Sequence, residues 1–291
     1  MRGIILAGGS GSRLLPLTRG INKHVLPVYD KPMIYYPLST LMLMGFKRVT
    51  VVSSPSGVPQ LRVLLGDGSD LGMSIDYVSQ PEPTGVAGAL RCALADHAVE
   101  PVTVVLGDNL FFGVGLGSNL MSSIAQDSST VFTYLVKDAS SFGVVEYDQD
   151  RAVRIVEKPS FSGPDWAVTG LYVYSREALQ TLGDVRPSTR GELEISDVND
   201  RLLAAEMLDI VKLPRGTAWL DMGSPEDLYA AAQFVRILQE RQELLIGSPE
   251  EIAWRNGWIS DTELERLAVS YGNVPYARFL GRLVSAHTSR P

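Results

Sequence analysis

The chain is predicted to fold as an α/β protein: a Rossmann-like, mixed and largely parallel central sheet covered by helices, with an added lobe and a small C-terminal helical appendage. Two patterns predict it. Strand-like runs at residues 3–7, 48–53, 74–79 and 102–106 alternate with helical patterns at about 33–45, 58–65 and 85–97, the rhythm of a parallel sheet buried on both faces. The first run ends in the glycine-rich turn Gly8-Gly9-Ser10-Gly11-Ser12-Arg13, and in such sheets ligands collect outside the carboxyl ends of the strands.

The glycines of that turn carry no Cβ, so backbone N–H groups can approach phosphate oxygens, and Arg13 adds a permanently charged fork. Two familiar phosphate loops are excluded by spacing. Leu14 stands where a dinucleotide fingerprint needs its third glycine, and no Gly-Lys-Ser/Thr follows. Beside the turn lies a basic segment with Arg19 and Lys23, then Leu26-Pro27-Val28.

Farther on, short strand patterns at 130–136, 143–147, 154–156 and 167–174 with little helix between them predict an antiparallel or mixed lobe. From Ser224 the chain turns helical. Ser224-Pro225, Ser248-Pro249 and Ser260-Asp261 are capped helix starts, with Glu251 and Glu263 at capping-box positions. The expected organisation is a core over 1–234, including a lobe at about 130–222, and a helical appendage over 235–291.

With 291 residues, 45% hydrophobic and 20% charged, the chain is of ordinary globular composition. Its 26 Lys+Arg against 33 Asp+Glu give a net charge of −7, so no nucleic-acid or anionic membrane partner is expected. Cys92, the sole cysteine, excludes an intramolecular disulfide framework and fits a reducing compartment. With no signal-peptide pattern and no apolar stretch of spanning length, a cytoplasmic location is expected. His24, His97 and His287 are too scattered for a metal site.

Asp108 in Leu106-Gly107-Asp108-Asn109 and Asp221 in Trp219-Leu220-Asp221-Met222 end apolar strands, where a carboxylate is costly to bury unless paired or bound to a cation. Each alone suits a turn or a cap; together beside the glycine turn they suit Mg²⁺. Glu157-Lys158-Pro159 is either an exposed ion pair or a polyol and phosphate contact. The acids of Glu192-Leu193-Glu194-Ile195-Ser196-Asp197 are best explained as first-turn helix charges.

Six blocks carry a resemblance: Leu6 to Leu14, Pro27 to Leu38, Leu106-Gly107-Asp108-Asn109, Glu157-Lys158-Pro159, Thr169-Gly170-Leu171-Tyr172, and Arg190-Gly191-Glu192-Leu193-Glu194-Ile195. In this order and spacing the chain resembles the short-chain glucose-1-phosphate thymidylyltransferases, through about Tyr276. The resemblance implies a nucleotidyltransferase fold and Mg²⁺-dependent, in-line attack of glucose 1-phosphate on the α-phosphorus of dTTP. It implies catalytic roles for Arg13, Lys23, Asp108 and Lys158, and metal ligation by Asp108 and Asp221. Nucleotide contacts are implied at Leu6, Gly8, Gly9, Gly11, Ser12, Arg13, Lys23, His24, Gln80, Gly85 and Asp108, and sugar contacts at Asn109, Gly143, Glu157, Lys158 and Val168. A homotetramer is implied as well.

The chain departs from the family pattern at several places, Ser12 standing for a threonine with its hydroxyl kept. His24 replaces a glutamine, and Thr84 and Gly88 stand in Pro83-Thr84-Gly85-Val86-Ala87-Gly88-Ala89 where the family has Asp and Gln. These lie on the base side and predict weaker preference for dTTP over UTP. A second, inhibitory nucleotide site implied by the resemblance would involve Gly113, Arg215, Ser248 and Glu251, with Phe112 and Val114 replacing a tyrosine and a histidine. The same chemistry with UTP or another sugar phosphate, and a silent regulatory subunit, are the alternative readings; retention of Arg13 and both acids speaks against the second.

Overall fold

Ile4, Ile5, Leu6 and Ala7 sit on β1 (Arg2–Ala7), and the pleat sends Ile5 and Ala7 into one apolar layer and Ile4 and Leu6 into the other. A strand buried on both faces is what a continuous apolar run allows. In this computed structural model the described residues are 1–9, 11–95, 100–125, 128–160 and 163–288.

A two-strand ribbon follows, β2 (Pro27–Val28) and β3 (Lys31–Pro32), and then α1 (Tyr35–Leu43), buried over almost its whole length. Next in order are β4 (Arg48–Ser53), α2 (Gly57–Leu65), β5 (Ser74–Ser79), α3 (Val86–Leu94) and β6 (Val102–Leu106). The expected bounds of β4, β5 and β6 are those observed. The expected helix to residue 97 is described only to Leu94 with a turn at Ala95, and His97 lies outside the described residues. Cys92 on α3 is half-buried rather than part of the core.

The chain continues through β7 (Asn109–Phe112), α4 (Leu116–Ser122), β8 (Ser129–Val136), β9 (Gly143–Asp148), β10 (Arg151–Glu157) and β11 (Asp165–Tyr174). It ends with α5 (Arg176–Gln180), α6 (Ile195–Ala204), β12 (Leu208–Lys212), β13 (Ala218–Asp221), α7 (Pro225–Gln242), α8 (Pro249–Arg255), α9 (Asp261–Ser270) and α10 (Pro275–Thr288).

One nine-stranded sheet has the order β10-β9-β11-β6-β1-β4-β5, with β8 on β11 and β12 on β8. The β6-β1-β4-β5 half is parallel, whereas β11 joins it antiparallel to β6 and carries β8 and β9 antiparallel. The predicted lobe is therefore an extension of the central sheet. β13 pairs with β7 as a separate ladder, Asp221 opposite Asn109, which brings the two acidic strand ends together.

All three predicted serine caps form: Ser224, Ser248 and Ser260 accept from the backbone N–H of Asp227, Glu251 and Glu263. Only Ser260 and Glu263 complete a reciprocal capping box; the Glu251 carboxylate turns to Arg255 instead. Helix α7 runs unbroken across the expected 234/235 division, and Ala231 and Val235 pack with Val28, Met33, Tyr36 and Leu110. The C-terminal helices thus grow from a helix rooted in the core. Among the described residues, no helix is long and apolar enough to cross a membrane.

Candidate active site

A cavity of about 630 Å³ opens at the carboxyl ends of β1, β5 and β6 and extends under β9, β10 and β11. That is ample for a nucleotide and a hexose phosphate on the usual scale of ligand sites. Leu6, Gly8, Gly9, Arg13, Lys23, His24, Gln80, Gly85, Asp108, Asn109, Gly143, Glu157, Lys158, Val168 and Asp221 all line it. Gly11 and Ser12 shape the turn behind it.

Gly9 and Gly11 have φ of 91° and 61°, the left-handed region where a side chain is strained. At Gly8 a Cβ would stand 2.9 Å from Gln80 Oε1, so a side chain there would displace the Gln80 carboxamide. The turn closes as Thr18 Oγ1 donates to the Gly11 carbonyl at 2.7 Å. Arg13, at the exit from the turn, lies beside Gly223, two residues after β13. A Cβ on Gly223 would lie 3.0 Å from both Arg13 Nη2 and Asp221 Oδ2, so glycine there allows the guanidinium and the carboxylate to approach each other.

Lys23 donates to Asp108 Oδ2, and Asn109 Nδ2 donates to Asp108 Oδ1 at 3.0 Å. Burial alone would raise the Asp108 pKa, but the Lys23 ammonium, His24 and these two hydrogen bonds together hold it well below the usual carboxylate range. Asp221 behaves oppositely. Burial and the neighbouring Asp108 charge push it up to about 7, against the pull of Lys23 and Arg13. A crowded pair of carboxylates with one member under-compensated is a donor set suited to a hard divalent cation.

His24 is fully buried, and burial together with the Lys23 charge lowers its pKa to about 3. Its Nδ1 lies 2.8 Å from Asn22 Oδ1, an atom that only accepts, so Nδ1 carries the proton of the neutral ring.

Where β9 and β10 line the crevice, Gly143 and Glu157 face each other across the pair. Glu157 accepts from Ser196 Oγ and from Arg190 Nη2 at 3.2 Å, while Glu194 Oε1 accepts from Arg190 at 2.9 Å. Lys158 Nζ is 3.7 Å from Glu157 Oε1. Its backbone φ of 42° is strained for a residue with a side chain, a feature that collects at functional sites.

Asn109, for which the resemblance implied a sugar contact, lines the crevice and also makes hydrogen bonds within the protein. Its Oδ1 accepts from Gly170 N at 3.1 Å and Trp219 Nε1 at 2.5 Å, and its Nδ2 holds Asp108. The side chain is engaged in orienting an acid and tying β7, β11 and β13 together. The same contact accounts for the Thr169-Gly170 block, since a Cβ on Gly170 would stand 2.7 Å from Asn109 Oδ1.

Sequence reasoning missed Phe142, Tyr172, Glu192, Ser196 and Trp219 in the wall and Arg190 behind it. Of the acids at 192–197, Asp197 does lie in the first turn of α6, but Glu194 is engaged by Arg190 and Ser188. The one available signal was the Arg190 to Ile195 block, whose partner Glu157 is 33 residues away.

The four residues of the implied second site fall into two groups. Gly113 lies beside Gly216 and Thr217 in the turn that carries Arg215. Ser248 is buried, caps Glu251 and contacts Tyr276 at 2.8 Å. Val114 is almost fully exposed, and Phe112 packs edge-on against Phe234.

Fold and crevice together define a nucleotidyl transferase: the chain belongs to the nucleotidyl transferase family, whose model matches residues 2–237. It is 50% identical over 286 residues to the glucose-1-phosphate thymidylyltransferase of Neisseria meningitidis serogroup A / serotype 4A, covering 98% of this chain and 99% of that protein. The glucose-1-phosphate thymidylyltransferase of Mycolicibacterium smegmatis is 46% identical over the same coverage. Among solved structures, a Bacillus anthracis protein assigned as a glucose-1-phosphate thymidylyltransferase, in complex with a sucrose, is similar with a TM-score of 0.74 at 32% identity. It covers 81% of this chain and 95% of its own. A UDP-glucose pyrophosphorylase complexed with UDP-glucose shares the fold, with a TM-score of 0.70 at 23% identity over 82% of this chain and 99% of its own.

Proposed function

We propose that this chain is an enzyme that transfers a thymidylyl group from dTTP to α-D-glucose 1-phosphate, giving dTDP-glucose and pyrophosphate. Similarity at 50% identity over nearly the full length of the Neisseria enzyme supports the substrates. The observation that carries the chemistry is that one crevice is lined together by Gln80 and Gly85, by Arg13, Lys23, Asp108 and Asp221, and by Gly143, Glu157 and Lys158.

A phosphate oxygen of the sugar phosphate attacks the α-phosphorus, the bond to the β-phosphate oxygen breaks in line, and pyrophosphate leaves with the electron pair. Arg13 stabilises charge developing on the departing pyrophosphate, Lys23 neutralises the triphosphate, and Lys158 orients the attacking phosphate. Glu157, held by Arg190 and Ser196, accepts hydrogen bonds from hexose hydroxyls. Asp108 and Asp221 would hold Mg²⁺, which supplies charge neutralisation at the phosphates. A homotetramer in the cytoplasm completes the proposal.

The test is pyrophosphate release from purified protein with dTTP and glucose 1-phosphate. A second reading, equal use of UTP, is favoured by His24, Thr84 and Gly88 on the base side. A nucleotide panel separates the two.

A further inference from the structure

We propose that Lys31 is a positioning residue for Lys23: its buried ammonium, held by Asp30 and Gln239, fixes the β2–β3 ribbon against α7, and the residues that leave the ribbon hold the turn that carries Lys23 into the crevice. The proposal rests on the reading of the crevice as a nucleotide site for the role of Lys23.

Lys31 is a buried lysine outside the crevice. Its Nζ donates to Asp30 Oδ1, and to Gln239 Oε1 at 2.9 Å, and the centre of the Tyr276 ring on α10 lies 5.5 Å away. Gln239, on α7, meets both members of the ion pair. Ile246 N donates to Gln239 Oε1 at 2.9 Å, which sets the orientation of the amide because a backbone N–H can only donate, and Nε2 in turn donates to Asp30 Oδ2 at 2.9 Å. A buried ion pair adds little net stability over an apolar filling of the same space, but its directional hydrogen bonds fix register. Here they register β3 on α7.

The ribbon needs such a clamp. Val28 pairs with Lys31 across the two-residue turn Tyr29-Asp30, and Tyr29 has a φ of 62°, a conformation that hairpin turns of this length ordinarily give to glycine, asparagine or aspartate. A turn strained in this way persists only where the surrounding fold holds it. What holds it is the Lys31 clamp together with the Tyr36 hydroxyl, which donates to the Val28 carbonyl at 2.7 Å.

From the ribbon to the crevice the path is backbone. Met33 N donates to the Leu26 carbonyl and Ile34 N to the His24 carbonyl, both at 2.9 Å. Leu26 N donates to the Lys23 carbonyl at 3.0 Å and closes the turn Lys23–Val25. That turn presents Lys23 Nζ to Asp108. Met33 and Ile34 are fully buried, so a ribbon that shifts carries the Lys23 turn with it.

The experiment uses the full chain as parent, Lys31→Met and the milder Gln239→Met, which keeps the ion pair and frees it from α7. Without ligand, a limiting amount of an amine-acetylating reagent is applied and the modified lysines are mapped by mass spectrometry. Lys23 should react about fivefold or more faster in both variants relative to Lys158, which reaches the same crevice from the end of β10, whereas general loosening of the site would move both lysines. Calorimetric titration with dTTP in Mg²⁺ should show a dissociation constant raised about fivefold or more in each variant, with the glucose 1-phosphate KM within about twofold of the parent. In a Lys23→Met background, Lys31→Met should add less than about twofold, because residues that act through one another are not additive. Relative Lys23 reactivity within twofold of the parent in both variants overturns the proposal, as does a Lys31→Met loss that persists in full in the Lys23→Met background. A parent that does not bind dTTP refutes the reading of the crevice, while the labelling still decides this inference on the unliganded protein.

Discussion

Replacing Asp221 with asparagine should stabilise the metal-free protein at alkaline pH while abolishing Mg²⁺-dependent turnover. The folded-state pKa of Asp221 rises from its ordinary 3.8 to about 7, first through burial and then through the Asp108 charge. Between those values the folded chain retains a proton that the unfolded chain has released, so stability falls as pH rises through this window and levels above it. The full gap of roughly three units corresponds to a ceiling of about 4 kcal/mol at 1.36 kcal/mol per unit. Partial solvent access and the shared charge with Asp108 reduce the expected gain to about 1–2 kcal/mol at pH 8, or about 2–6 °C in Tm for a chain of this size. The assay is thermal unfolding of Asp221→Asn and parent in a metal chelator at pH 5 and pH 8. The advantage of the variant should widen from pH 5 to pH 8, and Mg²⁺ should raise only the parent. A constant difference between the two pH values would refute the reasoning.

Arg13→Ala should lower kcat by roughly 10² or more, the scale for losing one preorganised donor, with Tm near the parent value; near-normal turnover would remove Arg13 from the mechanism. Asp108→Asn and Asp221→Asn should each cost about as much activity as the double variant, because they act as one unit; multiplicative losses would separate them. His24→Gln should flatten acid sensitivity. The folded pKa of His24 is lowered to about 3 from 6.5, so its stabilising contribution is full above 6.5 and declines below it, by up to about 2 kcal/mol from pH 6.5 to pH 5. Urea unfolding at pH 7 and pH 5 reads this directly, and equal acid losses in parent and variant would contradict it.

The strands β4, β5 and β6 were legible to the residue because β4 and β6 are largely apolar runs and β5 alternates polar and apolar residues, each ending at polar residues or glycine. The ladder of β7 with β13 was not, since two four-residue segments about a hundred residues apart carry no local pairing signal. The division at 234/235 followed the run of capped helix starts from Ser224 onward, but α7 is continuous across it and packs Ala231 and Val235 on the core. In the crevice, residues next to the glycine turn or at apolar strand ends announced themselves by being polar in the wrong place. Arg190 and Ser196 did not, because their roles are set by contact with Glu157 across two elements. Asn109 was legible as a site residue, yet its three hydrogen bonds, which make it a support for Asp108, exist only in the assembled sheet.

Pyrophosphate release measured across dTTP, UTP, dCTP and dATP, each with glucose 1-phosphate and with galactose 1-phosphate, tests the central claim that this one crevice joins a thymidylyl group to a hexose phosphate. The account predicts Mg²⁺-dependent release that is fastest with dTTP and glucose 1-phosphate, followed by UTP within about tenfold, the scale for a single methyl group in an apolar pocket. Absence of release with dTTP and glucose 1-phosphate in Mg²⁺, from protein shown to be folded, would contradict it.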